Sequence, residues 1–205
     1  MIYQCSIMIS FCCTMISAGN VETIIDTTLA KYEDMESLYA EFEQVYCDEV
    51  SGTCMRYEGI LHFLQPSFFK MEIIDPRRVY VSDCESLWIY IPEENRAIRQ
   101  SMEQVPFHIN PEVFLKDYKE RFAAELSAES ESSYEITLTP QDEADFYDKI
   151  VVVITKNRFE IAALSIHDKA GSENKYTFNK IELNRKIKKS FFEFKPPKGT
   201  QIDEY

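Results

Sequence analysis

The sequence predicts a mainly β protein with helices, an α+β fold built on one antiparallel sheet that buries a single face. Three observations predict it. Apolar side chains recur at every second position through most of the chain, as in Phe69, Met71 and Ile73 against Lys70 and Glu72, and strict alternation marks a strand with one face in a core. Near the start, Val21, Ile24, Ile25, Thr28, Leu29 and Tyr32 recur at helical spacing behind Asn20, a residue suited to capping, which predicts a helix over about 21–33. In mid-chain, Asn110-Pro111 is a helix start, and Phe114, Tyr118 and Phe122 follow at i, i+4 and i+8. That spacing gives an aromatic stripe on one helical face, inserted between strands.

The first 18 residues, MIYQCSIMISFCCTMISA, carry no charge, and the composition changes at Glu22, Asp26 and Lys31. An apolar run ending in small residues reads as a secretory signal cleaved near Ala18, although it lacks Lys or Arg near Met1. A membrane anchor or a buried first strand is the other reading. The bulky Phe11 before Cys12 disfavours lipid attachment there. Residues 1–18 are therefore expected to be a signal peptide and 19–205 one domain, to which the 205-residue length gives a substantial core.

From Met35 the period changes to two. Leu38, Ala40 and Phe42 face one way and Glu41 and Glu43 the other; after a polar turn, Met55, Tyr57, Gly59, Leu61 and Phe63 oppose Arg56, Glu58 and His62. Cys47 and Cys54 flank that turn, Asp48–Thr53, where antiparallel strands would set them opposite each other. A disulfide there is worth about 2–3 kcal/mol on the chain-entropy model; the alternative is two free thiols beside a turn. Gln65–Pro92 then reads as three short strands split by turns at Asp75-Pro76 and Asp83-Cys84, the last carrying Trp88 and Tyr90. Further strands are predicted at about 94–100, 133–139, 147–155, 159–167, 174–184 and 190–194. Ile150–Ile154 is apolar on both faces, so an element is expected to cover it from outside, the N-terminal helix first. Phe191–Pro197 reads as an edge strand stopped by prolines.

The chemistry-bearing patterns are few. A net charge of −13 disfavours a nucleic-acid or anionic-membrane surface, because phosphates repel such a body. His62, His108 and His167 are isolated, and neither HExxH nor CxxC occurs, so no metal or cofactor is expected. Acidic groups at Glu93-Glu94 and Asp142-Glu143 with Asp145 read as solvated turns, because a catalytic carboxylate pair needs burial to separate its pKa values. No enzyme is expected.

Several segments, in order, resemble the LolA-type family of periplasmic outer-membrane lipoprotein carriers. They are Phe42-Glu43-Gln44; Pro66-Ser67-Phe68-Phe69-Lys70-Met71; Pro76 with Val81-Ser82-Asp83; Leu87-Trp88-Ile89-Tyr90-Ile91-Pro92; Tyr134–Pro140; Asp168 with Gly171; and Phe192–Gly199. The resemblance implies an open, incomplete antiparallel β-barrel with a helical lid over an apolar cavity. It implies a monomeric periplasmic chaperone that takes the acyl chains of lipoproteins released by an inner-membrane ABC transporter and hands them to an outer-membrane receptor. On that reading Phe42, Phe63, Phe69, Met71, Ile73 and Trp88 line the cavity, and Phe114, Tyr118 and Phe122 form the lid. Gln65 stands where many members have a lid-latching Arg, and Cys84 replaces a glycine after Asp83. A lipid-binding sensor or an outer-membrane lipoprotein receptor on the same fold is the alternative.

Overall fold

The structure is a computed structural model that describes residues 18–102, 115–116 and 118–205. The N-terminal helix α1 spans Ala18–Glu33, and then six strands follow in a meander: β1 Ser37–Asp48, β2 Thr53–Leu64, β3 Phe68–Ile73, β4 Arg78–Asp83, β5 Ser86–Ile91 and β6 Arg96–Ser101. A single helical turn, α2 (Tyr118–Arg121), leads into a second meander of β7 Phe122–Glu129, β8 Ser133–Pro140, β9 Tyr147–Thr155, β10 Ile161–Asp168 and β11 Glu173–Leu183. A short β12 (Gln201–Glu204) ends the series. All lie in one open sheet, ordered β12-β6-β5-β4-β3-β2-β1-β11-β10-β9-β8-β7.

Each meander forms by hairpins between sequence neighbours, and the two are joined where β1 pairs antiparallel with β11. Across that seam Ala40 faces Ile181 and Glu41 faces Lys180, but Phe42 faces Phe178, so Asn179 is extra on β11. The bulge reverses the parity of β11, which turns Ile181 and Leu183 on one side of it, and Phe178 and Tyr176 on the other, to the same face. Comparable register shifts lie at Ile161/Ala163 on β10 and Leu126/Ala128 on β7. Bulges bend strands and increase twist. The inner side chains of β5 at one side and β7 at the other, Leu87 and Leu126, accordingly belong to one apolar cluster, with α1 in it.

Helix α1 is fixed at its C-terminal end. Tyr32 Oη accepts the Ile161 backbone N–H at 3.1 Å, and Lys31 Nζ donates at 2.8 Å to both the Arg158 carbonyl and Glu160 Oε1. Glu160 is only 8% exposed and takes a second cation, Arg158, at 3.1 Å, which is what a buried carboxylate requires. The helix shares its cluster with Ile150, Val152 and Ile154, all fully buried, while Val151 and Val153 on the other face stay half-buried. The expected cover from outside is therefore not what the structure shows: α1 packs on the inner face of this strand, because its apolar stripe joins the same core as Ile150, Val152 and Ile154.

The tail after β11 departs from the sequence expectation. Residues 190–194 form no strand. Instead the chain crosses the outer face of β1–β5 as a strap, with one 3-10 turn at Lys189–Phe192, and docks β12 parallel to β6. Phe192 and Phe194 explain the path: they turn onto the sheet, Phe192 against Val79 and Val81 in a second, outer core and Phe194 beside Tyr90. Arg96 Nε meets Asp203 Oδ2 at 2.5 Å and fixes the end.

Cys47 and Cys54 are directly opposed, with Cα atoms 4.1 Å apart, and are disulfide-bonded. Cys84, the free cysteine among the described residues, holds φ at +78°, a left-handed conformation that disfavours any residue with a Cβ by roughly 1–2 kcal/mol. Replacing Cys84 with Gly is expected to raise stability by about 0.5–1 kcal/mol, read as a higher denaturant midpoint. The opposite holds at Gly59. A Cβ there would sit 2.5 Å from Phe42 Cζ and 2.8 Å from the Glu72 carbonyl, so Gly59→Ala is expected to lower stability by about 1–3 kcal/mol in the same measurement.

Candidate functional site

The expected site residues on the first three strands come together. On the inner face Phe63 pairs with Leu38 on one side and Phe69 on the other, Leu61 with Ala40 and Met71, and Gly59 with Phe42 and Ile73. The rows are continuous because β1, β2 and β3 pair without a shift. Phe42, Phe63, Phe69, Met71 and Ile73 are each less than a tenth exposed, and burying such a side chain is worth about 1.5–3 kcal/mol. The Phe42 ring reaches over Gly59, the one position in its row without a side chain.

Further residues continue this face beyond those expected. Tyr80 and Ile89 extend it across β4 and β5, and Tyr176, Phe178, Ile166, Ile136 and Leu126 across the second meander. Their alternation is legible in the sequence, for example Tyr176-Phe178 then Ile181-Leu183 with the parity change of the bulge between them. The face ends in polar groups at the Cys47–Cys54 end. Gln44 Nε2 donates to Asn174 Oδ1 at 3.0 Å and to Tyr176 Oη at 3.2 Å, and burial raises the Tyr176 phenol pKa above its ordinary value.

Trp88 does not join this face. It pairs with Val81, on the parity opposite to Leu87 and Ile89, and stacks 5.4 Å from Phe194 under the strap with Arg99 at 5.5 Å. Its aromatic bulk serves the outer core, a partner invisible until the strap is placed.

The expected helical stripe is also revised. Tyr118 sits in the single turn α2, whereas Phe122 opens β7 opposite Pro140. Phe122, Ala124 and Leu126 point inward at a strand period, so period two prevails over the i, i+4 spacing. Phe114 and the Asn110-Pro111 start lie outside the described residues. Tyr118 is 5% exposed. Its hydroxyl has no hydrogen-bond partner among the described residues, and burial, with Glu22 and Asp26 of α1 nearby, raises its pKa. Gln65 at the latch position grips the connection between α1 and β1: its Nε2 donates to the Met35 carbonyl at 2.7 Å, and its backbone N–H to the Glu36 carbonyl at 2.9 Å.

The acidic groups that the sequence singles out sit away from the inner face. Asp142, Glu143 and Asp145 line an open surface hollow of about 690 Å³ with Glu120, Arg121 and Gln141. Glu93 and Glu94 are in an exposed turn. Among the described residues no His, Cys, Asp and Glu cluster has the arrangement to hold a metal.

The comparisons with known proteins agree with this architecture. The family model "Outer membrane lipoprotein carrier protein LolA" matches residues 33–195. The chain belongs to the LolA family. An outer-membrane lipoprotein carrier protein of Chromohalobacter salexigens is 26% identical over 177 residues, 84% of this chain and 83% of that one. Another, from Erwinia tasmaniensis, is 22% identical over 205 residues, 96% and 97% of the two chains. Among solved structures, an uncharacterized conserved protein of Thermus thermophilus superposes with a TM-score of 0.60 at 11% identity, covering 91% of this chain and 99% of that one. At that identity the likeness is one of fold.

His62 lies on the outer face of β2, edge-on to Tyr39 at 5.0 Å and Phe191 at 4.7 Å, and its Nδ1 is buried with no partner among the described residues. Burial first, then the Arg185 and Lys70 charges, hold its pKa below the ordinary 6.5. The unfolded chain therefore takes up this proton before the folded one. The contribution of His62 to stability is full above about pH 6.5, falls as the pH drops through that value, and levels once the folded imidazole protonates. His62→Gln is expected to lose less stability than the wild type between about pH 7.5 and about pH 5.5, measured by urea denaturation at each pH; parallel profiles would show that His62 does not titrate this way.

Proposed function

We propose that this LolA-family chain is a periplasmic carrier that binds the acyl chains of lipoproteins on the inner face of its curled sheet. The observation that carries the reading is the continuous apolar face of Phe42, Phe63, Phe69, Met71 and Ile73 in a chain whose family is named for lipoprotein carriage. An acyl chain gains about 0.8 kcal/mol per buried CH₂, so an inner face held permanently open would not release its load. Tyr118, with Phe114, acts as the lid that yields to cargo, while Phe122, fixed in β7, belongs to the wall. Gln65, through the Met35 carbonyl, holds the connection from α1 into β1 on the fixed side against which the lid moves. Residues 1–18 are the export signal and 19–205 the carrier domain. Cargo arrives from an inner-membrane ABC transporter and leaves to an outer-membrane receptor of the same fold.

The test is lipoprotein uptake from inner-membrane vesicles and transfer to an outer-membrane acceptor. Phe69→Gln and the milder Met71→Gln are expected to lower uptake at least tenfold while circular dichroism reports a folded sheet. Unchanged uptake and transfer in both folded variants would sink the assignment of this face. Uptake of lipid with no transfer by the wild type would favour a sensor on the same fold.

A further inference from the structure

The outer face carries a feature that acyl-chain binding does not use. Residues 184–198 hold six basic side chains, Arg185, Lys186, Lys188, Lys189, Lys195 and Lys198, and one acid, Glu193, in a chain whose net charge is −13. The strap fixes several of them on one side of the sheet. Ser37 Oγ donates to the Arg185 carbonyl at 2.6 Å, and Asn184 N–H to the Ser37 carbonyl at 2.8 Å. The Arg185 guanidinium lies 4.8 Å from the Tyr39 ring, Lys189 5.3 Å from Phe68 and Lys70 4.7 Å from Phe191. Between strap and sheet runs a groove of about 400 Å³ lined by His62, Arg185, Lys186, Lys188, Ser190 and Phe191. Among the described residues neither Lys186 nor Lys188 forms an ion pair, and both are exposed. Phe191, in their midst, is a large apolar side chain left 39% exposed.

From this arrangement we infer that the outer face is a docking surface for membranes bearing anionic phospholipid headgroups. Three physical points favour a lipid surface. Unpaired lysines on a rigid strap present positive charge without first breaking ion pairs, and polybasic segments are drawn to anionic bilayers. An exposed phenylalanine ringed by cations is the pairing that interfacial segments use, apolar group into the acyl boundary and charges among the headgroups. The acidic remainder of the molecule is repelled by the same surface, so the strap sets one orientation, with the inner face turned away from the bilayer that it docks on.

The experiment is flotation of the full chain with protein-free vesicles of phosphatidylcholine alone or with phosphatidylglycerol added. Binding is expected only with phosphatidylglycerol and is expected to vanish at about 0.5 M salt, where the Debye length shrinks to a few ångströms. The double variant Lys186→Glu/Lys188→Glu is expected to weaken it at least tenfold, given roughly fivefold per cation near such a surface. A control, Lys116→Glu/Lys149→Glu, changes two exposed lysines elsewhere and is expected to bind as the wild type does. Equal binding to both vesicle types, which the apolar first 18 residues alone would give, overturns the inference. So does equal binding by both double variants. Poly-glutamate or inorganic phosphate binding with the same variant dependence, with no vesicle binding, would assign the groove to an acidic polypeptide or a free anion instead. None of these readouts involves a lipoprotein, so their failure is distinct from failure of the carrier reading.

Discussion

The pairing of β1 with β11 is the constraint on which the rest of the structure depends. Each meander can form from its own hairpins, but neither can close the inner core alone, because each supplies only part of the inner face. Joining the first strand to the last long strand makes the two inner faces continuous, and it does so only because Asn179 is extra. Without that residue the parity of β11 would carry through unchanged, and either the pair Ile181 and Leu183 or the pair Tyr176 and Phe178 would turn outward. The inner face can therefore run from Leu87 to Leu126 only with this irregularity in its centre.

The two faces of the sheet have different partners. The inner face is closed by α1, whose attachment at Lys31 and Tyr32 reaches the β9–β10 hairpin. The outer face of the first meander is closed by the strap, whose Phe192 is 1% exposed against Val79 and Val81. This division explains why β4 and β5 carry apolar residues on both faces. Val79, Val81, Trp88 and Tyr90 face the strap, whereas Tyr80, Leu87 and Ile89 face the interior.

The alternation that fixes strands is local, and β1 to β5 and β8 to β11 were legible residue by residue, as was the opposition of Cys47 and Cys54. What was not legible depends on distant partners. Trp88 reads as inner wall until Phe194 is seen across from it. Phe191-Phe192-Glu193-Phe194 alternates like a strand, yet the phenylalanines serve a crossing segment whose backbone N–H groups pair with no ladder. Phe122 satisfies two periods at once, and the β8 partner, through Phe122 opposite Pro140, decides for the strand. The cation-rich strap was written plainly in Arg185–Lys189, but a charge run shows a surface only when its direction across the sheet is known.

A carrier must hold apolar cargo without holding it too tightly, and the described residues contain one element suited to that balance. Tyr118 is buried beside α1 with its hydroxyl unpaired among the described residues, and leaving such a group without a partner costs about 1–3 kcal/mol. Among the described residues nothing offsets that cost, which a phenylalanine at the same place would not carry. On the proposed reading this makes Tyr118 easier to displace when an acyl chain arrives, by as much as roughly one to four buried methylenes contribute at about 0.8 kcal/mol per CH₂. The polar end of the inner face, where Gln44, Asn174 and Tyr176 satisfy one another, has no such weakness. On the same reading displacement is directed toward α2 and away from the Cys47–Cys54 hairpin.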